Sequence, residues 1–439
     1  MNERNDMTTG RILPKVLRFA LPLLLTCILQ QAYSMADAVI IKQLVGLKAF
    51  AAIGATGAVL WIAESMLMGL AHGFGVVFAQ VSGSDKERGS LGTVALRAGV
   101  IELGFALAAC ACILLFEGPI LRAVRMPADI AADAAAYMRA MTPFLCMAAL
   151  FNIAAGLLRA SGDSASPFVA MLISTGANIA LDYVLIRFAG MGVAGAGLAT
   201  GAAQAMALAF CLYKSRSLRG GRPPAGTTVR LLRMGLPSLL RDGVISCGGG
   251  VVQGMINGFG VHVIAGVAAS KKYFSLLQMC GSALEGTTAT YAGQNTGAGD
   301  IGRMKRGLRL LVALTVGTAV LTAVLTMAFA PGMIRLLIGN DSPEALSCGI
   351  EALRWMALFL PSLYILCVLR AALQNMGCAG MSMLTGFLEL GGRLAAVALL
   401  PVLIGARTAY LAEAVGWVLA ALYLIGAYIW KMRRLGKTV

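Results

Sequence analysis

Residues 17–44 read LRFALPLLLTCILQQAYSMADAVIIKQL, and between Phe19 and Ile41 the only charged side chain is Asp37. An apolar run of this length can cross the roughly 30 Å hydrocarbon core of a bilayer as a helix. A carboxylate at the centre of such a helix costs about 2.5–3.5 kcal/mol on insertion scales. A residue kept at that cost faces a water-filled cavity or a partner, which makes Asp37 a candidate functional residue.

The rest of the chain repeats or surrounds this run. Hydrophobic residues make up 59% of the 439 and charged residues 13%, with a mean hydropathy of +0.80. A soluble domain carries roughly 25% charge. Apolar runs recur at about 17–41, 50–79, 92–116, 131–154, 165–188, 192–213, 231–257, 262–292, 307–330, 346–370, 381–404 and 408–431. They are continuous rather than alternating, so they predict helices and not barrel strands. The chain opens on polar residues with no small-residue cleavage site after the first run, and no secretory leader is expected. The ten cysteines fall mostly inside apolar runs without metal-ligand spacing and read as small core residues.

The longest polar stretch, 214–230, holds Gly220, Gly221, Pro223 and Pro224. It separates a lobe at 1–213 from a lobe at 231–439, and the two repeat. LRFALP at Leu17 answers LRMGLP at Leu232, YMRAMTPFL answers ALRWMALFL, and LRASG ending at Gly162 answers LQNMG ending at Gly377, each at a shift of 215. The expected fold is therefore an all-α integral membrane protein of twelve transmembrane helices. Its two six-helix lobes would be parallel repeats about a pseudo-twofold axis along the membrane normal.

The net charge of +16 raises the question of a nucleic-acid partner. Arg4, Arg11, Lys15, Lys86, Arg88, Lys214, Arg216, Arg230, Arg303, Lys305, Lys431 and Arg433 gather at one set of run ends. This is the positive-inside bias, and it accounts for the charge without nucleic acid. It places both termini and the 214–230 linker in the cytoplasm, with the protein in the plasma (inner) membrane.

The stretches LPLLLTCILQQAYSMADAVIIKQLVG, LRASGDSASP, NIALDYVLI, GMGVAGAGLAT and YAGQNTGAGD, in this order, resemble the multidrug and toxic compound extrusion (MATE) family of antiporters. The loop FAQVSGSDKERG departs from the family's GAGD form, and LQNMGCAGMS lacks the aspartate of its counterpart. The resemblance implies two six-helix bundles around a central cleft. It also implies export of organic molecules, often lipophilic cations, in exchange for protons or sodium ions. It implies a cation-coupling role for Asp37 with the polar residues Asn178 and Asp182 of the fifth run.

Depth is consistent with that site. Asp37 lies about 30 Å along its helix from Leu17, and Asn178 and Asp182 lie about 20 and 26 Å from residue 165. Being four apart, the latter two share a helix face. At the 215 shift the three correspond to Val252, Arg393 and Val397, so the acidic cluster belongs to one lobe. The competing reading is that Asp37 and Asp182 cap or bridge helices and never titrate.

Other residues in the runs are candidates of lesser weight. Gln30, Gln31, Met255, Tyr273, Phe274, Lys271 and Lys272 could line a substrate cleft. Hydrogen bonding between helices explains the glutamines equally well, and core packing explains the apolar residues. Glu64, Glu102 and Glu413 also fall within runs. Glu389 and Arg393 are spaced for an i,i+4 salt bridge, Asp242 and Lys272 could meet at mid-depth, and Glu285 could reach the interface from its run end.

Enzymatic readings fail. GKT at Gly436 lacks the earlier glycine of a phosphate loop. GVAGAGLATG lies in an apolar run, where small residues allow close helix packing. The two histidines have no metal-ligand partners in sequence. The expectation is a transporter without a cofactor, contacting a small-molecule substrate and membrane lipid and working as a monomer. A flippase for lipid or lipid-linked precursors and a transport-dead scaffold are the alternatives.

Overall fold

A computed structural model describes residues 6–45, 47–123, 131–218, 220–339 and 342–437. For residues 35–39, 41–42, 47–55, 58, 123, 406 and 436–437 it describes the main chain alone. Its α-helices, in order, are α1 (Ile12–Leu44), α2 (Leu47–Gly83), α3 (Leu91–Leu115), α4 (Glu117–Ala123), α5 (Ala131–Met141), α6 (Leu145–Ala160), α7 (Ala165–Asp182) and α8 (Gly192–Ser215). They continue as α9 (Thr227–Asn257), α10 (Val261–Ala298), α11 (Ile301–Ile338), α12 (Pro343–Leu358), α13 (Leu360–Asn375), α14 (Ala379–Ile404) and α15 (Thr408–Lys437). No strand occurs among the described residues.

With α5–α6 and α12–α13 each taken as one broken rod and α4 as an extension of α3, the described helices make six rods before the linker and six after it. The expected all-helical, twelve-span fold is thus borne out. Nine of these rods, α5–α6 counted as one, are long and apolar enough to cross a membrane, or ten with the bent α12–α13 pair. Helices α9 and α10 fall short of that measure. They carry Arg241, Asp242, Lys271, Lys272 and Glu285 between them.

The repeat is visible in local geometry. Gly162 and Gly377 both take positive φ, 91° and 86°, a conformation that costs glycine nothing. Asp163 N–H donates to Leu158 O at 2.9 Å and Cys378 N–H to Leu373 O at 3.0 Å, the same helix stop 215 residues apart. The broken rods also match, with Phe144 before α6 and Phe359 before α13. The breaks lie beside Pro143 and Pro361, whose missing N–H groups interrupt the helical ladder. In the second case the rod bends by 42°.

The chain divides into two compact units. The first comprises Met1–Asp6 and Leu21–Leu239, and the second Met7–Ala20 and Leu240–Val439. Residues 7–10 join the second unit because the Arg303 guanidinium donates to the carbonyls of Met7, Thr9 and Gly10 at 3.0, 2.6 and 2.8 Å. The linker joins the first, where Thr93 Oγ1 reaches the carbonyls of Gly220 and Gly221 and Arg230 pairs with Glu87 at 2.8 Å.

Each unit has its own apolar core. In the first, Leu70, Phe74, Val77, Val94 and Ile153 pack together. In the second, Val252, Ile256, Tyr364, Tyr410 and Trp417 do. Close helix approach in the second unit uses facing glycines. A Cβ on Gly392 would stand 2.9 Å from Gly416 Cα, so an alanine there would push α14 from α15. Large side chains such as Val100 and Val402, 73% and 87% exposed, point outward as a lipid-facing surface requires.

Candidate functional site

The polar residues of α7 meet α8 and α1 inside the first unit. Asn178 and Asp182 have no solvent exposure and sit one turn apart on a single face. Asn178 Nδ2 donates to Thr200 Oγ1 of α8 at 3.3 Å, and Tyr33 OH of α1 lies 3.4 Å from the same hydroxyl. Thr200 therefore ties three helices together. Asn178 Oδ1 receives no hydrogen bond among the described residues. Asp37 follows Tyr33 by four residues in α1, and its side chain lies outside the described residues.

Directly after Asp182 the helix widens into a π-helical segment, Tyr183–Phe188. Such widenings recur at functional positions. Nothing in the sequence signalled it, nor the meeting of Tyr33 with Thr200. Thr200 is the last residue of the quoted motif GMGVAGAGLAT, but sequence position alone does not say what its hydroxyl touches.

The second unit holds a different polar interior. Arg393 lies 3.5 Å from Glu389 and 3.0 Å from Glu413, and its Nη1 donates to Ile245 O at 2.9 Å. Arg370 lies 3.2 Å from Glu285 and 3.6 Å from Glu389. Arg241 pairs with Asp242 at 2.6 Å and donates to Gln374 and Ser382 at 2.7 and 2.9 Å. The i,i+4 pair Glu389–Arg393 forms as its spacing predicts. Glu285 is held by Arg370 instead of reaching outward. Asp242 takes its chain neighbour Arg241, and no Asp242–Lys272 pair forms among the described residues.

The remaining candidates separate. Phe274 is buried, stacked on Trp417 at a centroid distance of 5.2 Å, so it packs the core. Met255 and Tyr273 are half-buried against apolar clusters of the second unit. Lys271 donates to Gln253 Oε1 at 3.2 Å, and Lys272 is exposed. Gln30 is exposed and Gln31 half-buried, and neither makes a side-chain hydrogen bond among the described residues. An apolar cleft of about 240 Å³ between α3, α6 and α8, lined by residues such as Leu96, Gly99, Leu150 and Leu208, contains none of the predicted residues. No group of three His, Cys, Asp or Glu side chains suited to a metal ion occurs among the described residues.

Residues 22–184 and 237–392 match the family model MatE, once in each half of the chain. The "Probable multidrug resistance protein YpnP" of Bacillus subtilis is 26% identical over 379 residues, covering 85% of this chain and 84% of the relative. A protein of Shewanella oneidensis named "FAD transporter" is 26% identical over 382 residues, covering 83% and 81%. Among solved structures, an outward-facing multidrug resistance MATE family transporter of the MOP superfamily superposes with a TM-score of 0.89 at 20% identity, over 100% of this chain and 99% of that one. At that identity the likeness shows the fold.

Proposed function

The chain belongs to the MatE family of membrane transporters, and on that premise we propose that it exports organic compounds across the plasma (inner) membrane in exchange for protons or sodium ions. The observation that carries the coupling part is the fully buried Asn178–Asp182 face of α7, joined to α8 and α1 through Thr200 and Tyr33. Carboxyl and amide groups enclosed by three helices suit an ion that must enter and leave as those helices move. The energetics are adequate. One entering cation gains about 2.3 kcal/mol per 100 mV, and each tenfold concentration ratio costs about 1.4 kcal/mol.

The test is transport by the purified protein in vesicles under an imposed proton or sodium gradient. Asp37→Asn is expected to lower gradient-driven efflux at least tenfold in a folded, inserted protein, and Asp182→Asn to lower it less. Full uphill efflux by Asp37→Asn would remove that residue from the mechanism.

Lipophilic cations are the substrates we favour, because the family resemblance implies such cargo and the Bacillus subtilis relative is named a multidrug resistance protein. The relative named as an FAD transporter supplies the contrasting probe. Export of FAD in preference to ethidium would reverse the charge assignment and bring Lys271 forward. The bias of basic residues supports cytoplasmic termini. A cysteine placed at Ser217 should then resist labelling from outside intact cells, and ready labelling there would invert the topology.

A further inference from the structure

Helix α3 carries a second buried acid of the first unit. Glu102 stands near the middle of this 25-residue helix and has no solvent exposure. Neither of its carboxylate oxygens has a hydrogen-bond partner, and no basic nitrogen pairs with it among the described residues. Its stripe runs Ala98, Glu102, Ala106, Cys110, all buried and four apart, so they share one face. Ala98 belongs to the apolar cluster of Leu70, Phe74 and Ile153, and Ala106 to that of Leu60, Leu67 and Ala149. The carboxyl stands where these two clusters meet.

No titratable group on the elements packed against it pairs with it among the described residues. Helices α2 and α6 pack on α3, with smaller contacts from α4 and from the turns at 88–90, 142–144 and 216–218. They bring Glu64 and His72, Cys146 and Arg159, Glu117 and Arg122, Arg88 and Arg216. None of these bonds to Glu102. On α3 itself Arg97 is exposed, away from the buried stripe, and Cys110 Sγ donates to Thr142 O at 3.0 Å.

The second unit shows what packing alone asks for at this place. The burial pattern of α3 returns in α11 as Leu311, Thr315, Ala319, Ala323, at a shift of 213, two short of the 215 of the other landmarks, with Thr315 in the position of Glu102. Its hydroxyl donates to Leu311 O at 2.7 Å, so its own helix satisfies it. A small group is enough there, and a carboxyl is not a requirement of the fold.

We propose that Glu102 is a proton-binding site. Its carboxyl holds a proton in this conformation. When the helices admit water, the O–H bond breaks, the proton passes to water and the carboxylate remains. A hard cation such as sodium needs a shell of several oxygen ligands, and the alanines above and below Glu102 offer none. A proton needs only the carboxyl. The inference rests on the antiport reading above and specifies its ion.

Two measurements test it on the full-length protein. In infrared spectra across a pH titration, the wild type is expected to show a protonated-carboxyl band that is missing from Glu102→Gln. In vesicles, ethidium export driven by a proton gradient is expected to fall at least tenfold in Glu102→Gln and to return in part in Glu102→Asp. Glutamine mimics the protonated acid in size and charge, so it should fold. An unchanged band in Glu102→Gln overturns the proposal, as does undiminished proton-driven export by that variant. Failure of the wild type to export ethidium under any gradient would count against the efflux reading, while the infrared band still decides the proton on Glu102.

Discussion

The two units treat their buried acids in opposite ways. In the second, the buried or half-buried Asp242, Glu285, Glu389 and Glu413 each stand within 3.6 Å of an arginine nitrogen. In the first, the ion pairs found among the described residues, Glu117–Arg139 and Glu87–Arg230, lie at helix ends, while Glu102 stands at mid-helix with no described cation paired to it. An acid clamped by guanidinium groups is fixed in place by them, and removing either partner would strand the other. An acid without such a neighbour can change its charge without stranding anything. On the proposed antiport reading, the second interior is the one that holds still and the first the one that exchanges an ion.

The largest effect should come from breaking the clamp. Arg393→Leu removes the arginine that holds Glu413 and one of the two that hold Glu389, and leaves both acids largely out of water. Removing one member of a buried pair costs about 3–5 kcal/mol, mostly through the charge left behind. Thermal unfolding in detergent should show the loss clearly, against a near-normal Glu102→Gln. Equal stability of Arg393→Leu and wild type would break the comparison, because the arginines would then not be holding the second interior together.

Much of this architecture was legible in the sequence because it rests on main-chain needs. Long apolar runs must become helices in hydrocarbon, and the glycines at 162 and 377 mark the same helix stop. The matching breaks before Phe144 and Phe359 were not legible, because the prolines beside them, Pro143 and Pro361, sit at different offsets. Glu389–Arg393 could be read from spacing along one helix. Glu285–Arg370 and Arg393–Glu413 could not, since they depend on how neighbouring helices are rotated about their axes. The same limit defeated the Asp242–Lys272 pair. It also hid Thr200, whose importance comes from contacts 167 and 22 residues away.

A smaller effect is expected at that hub. Thr200→Val keeps the shape and removes the hydroxyl that Asn178 and Tyr33 share. An ordinary hydrogen bond contributes about 1 kcal/mol net, and stranding a buried amide costs about 1–3 kcal/mol. Stability should fall by about 1–2 kcal/mol on that scale. Transport should fall more than stability does if the hub positions the ion site. Thr200→Ser should restore both. A valine variant with normal transport would make Thr200 a packing residue and weaken the contrast between the units.

The smallest effect isolates burial as the deciding variable. Arg407 Nε lies 2.8 Å from Glu351 Oε1, a shorter contact than any made by Arg393 to its acids, yet these side chains are 61% and 37% exposed. Water already solvates both charges, so separating them strands little. Glu351 also keeps other neighbours, the Tyr410 hydroxyl at 3.2 Å and the Trp355 ring nitrogen at 3.5 Å. Exposed pairs of this kind contribute about 0.2–1 kcal/mol and weaken in salt. Arg407→Ala should therefore shift the unfolding temperature only slightly, and the shift should shrink further at high ionic strength. Arg393→Leu should keep its large effect under the same conditions, because salt screens buried pairs far less. Should Arg407→Ala prove as damaging as Arg393→Leu, pairing alone would set the cost, and the distinction between the two interiors would lose its physical basis.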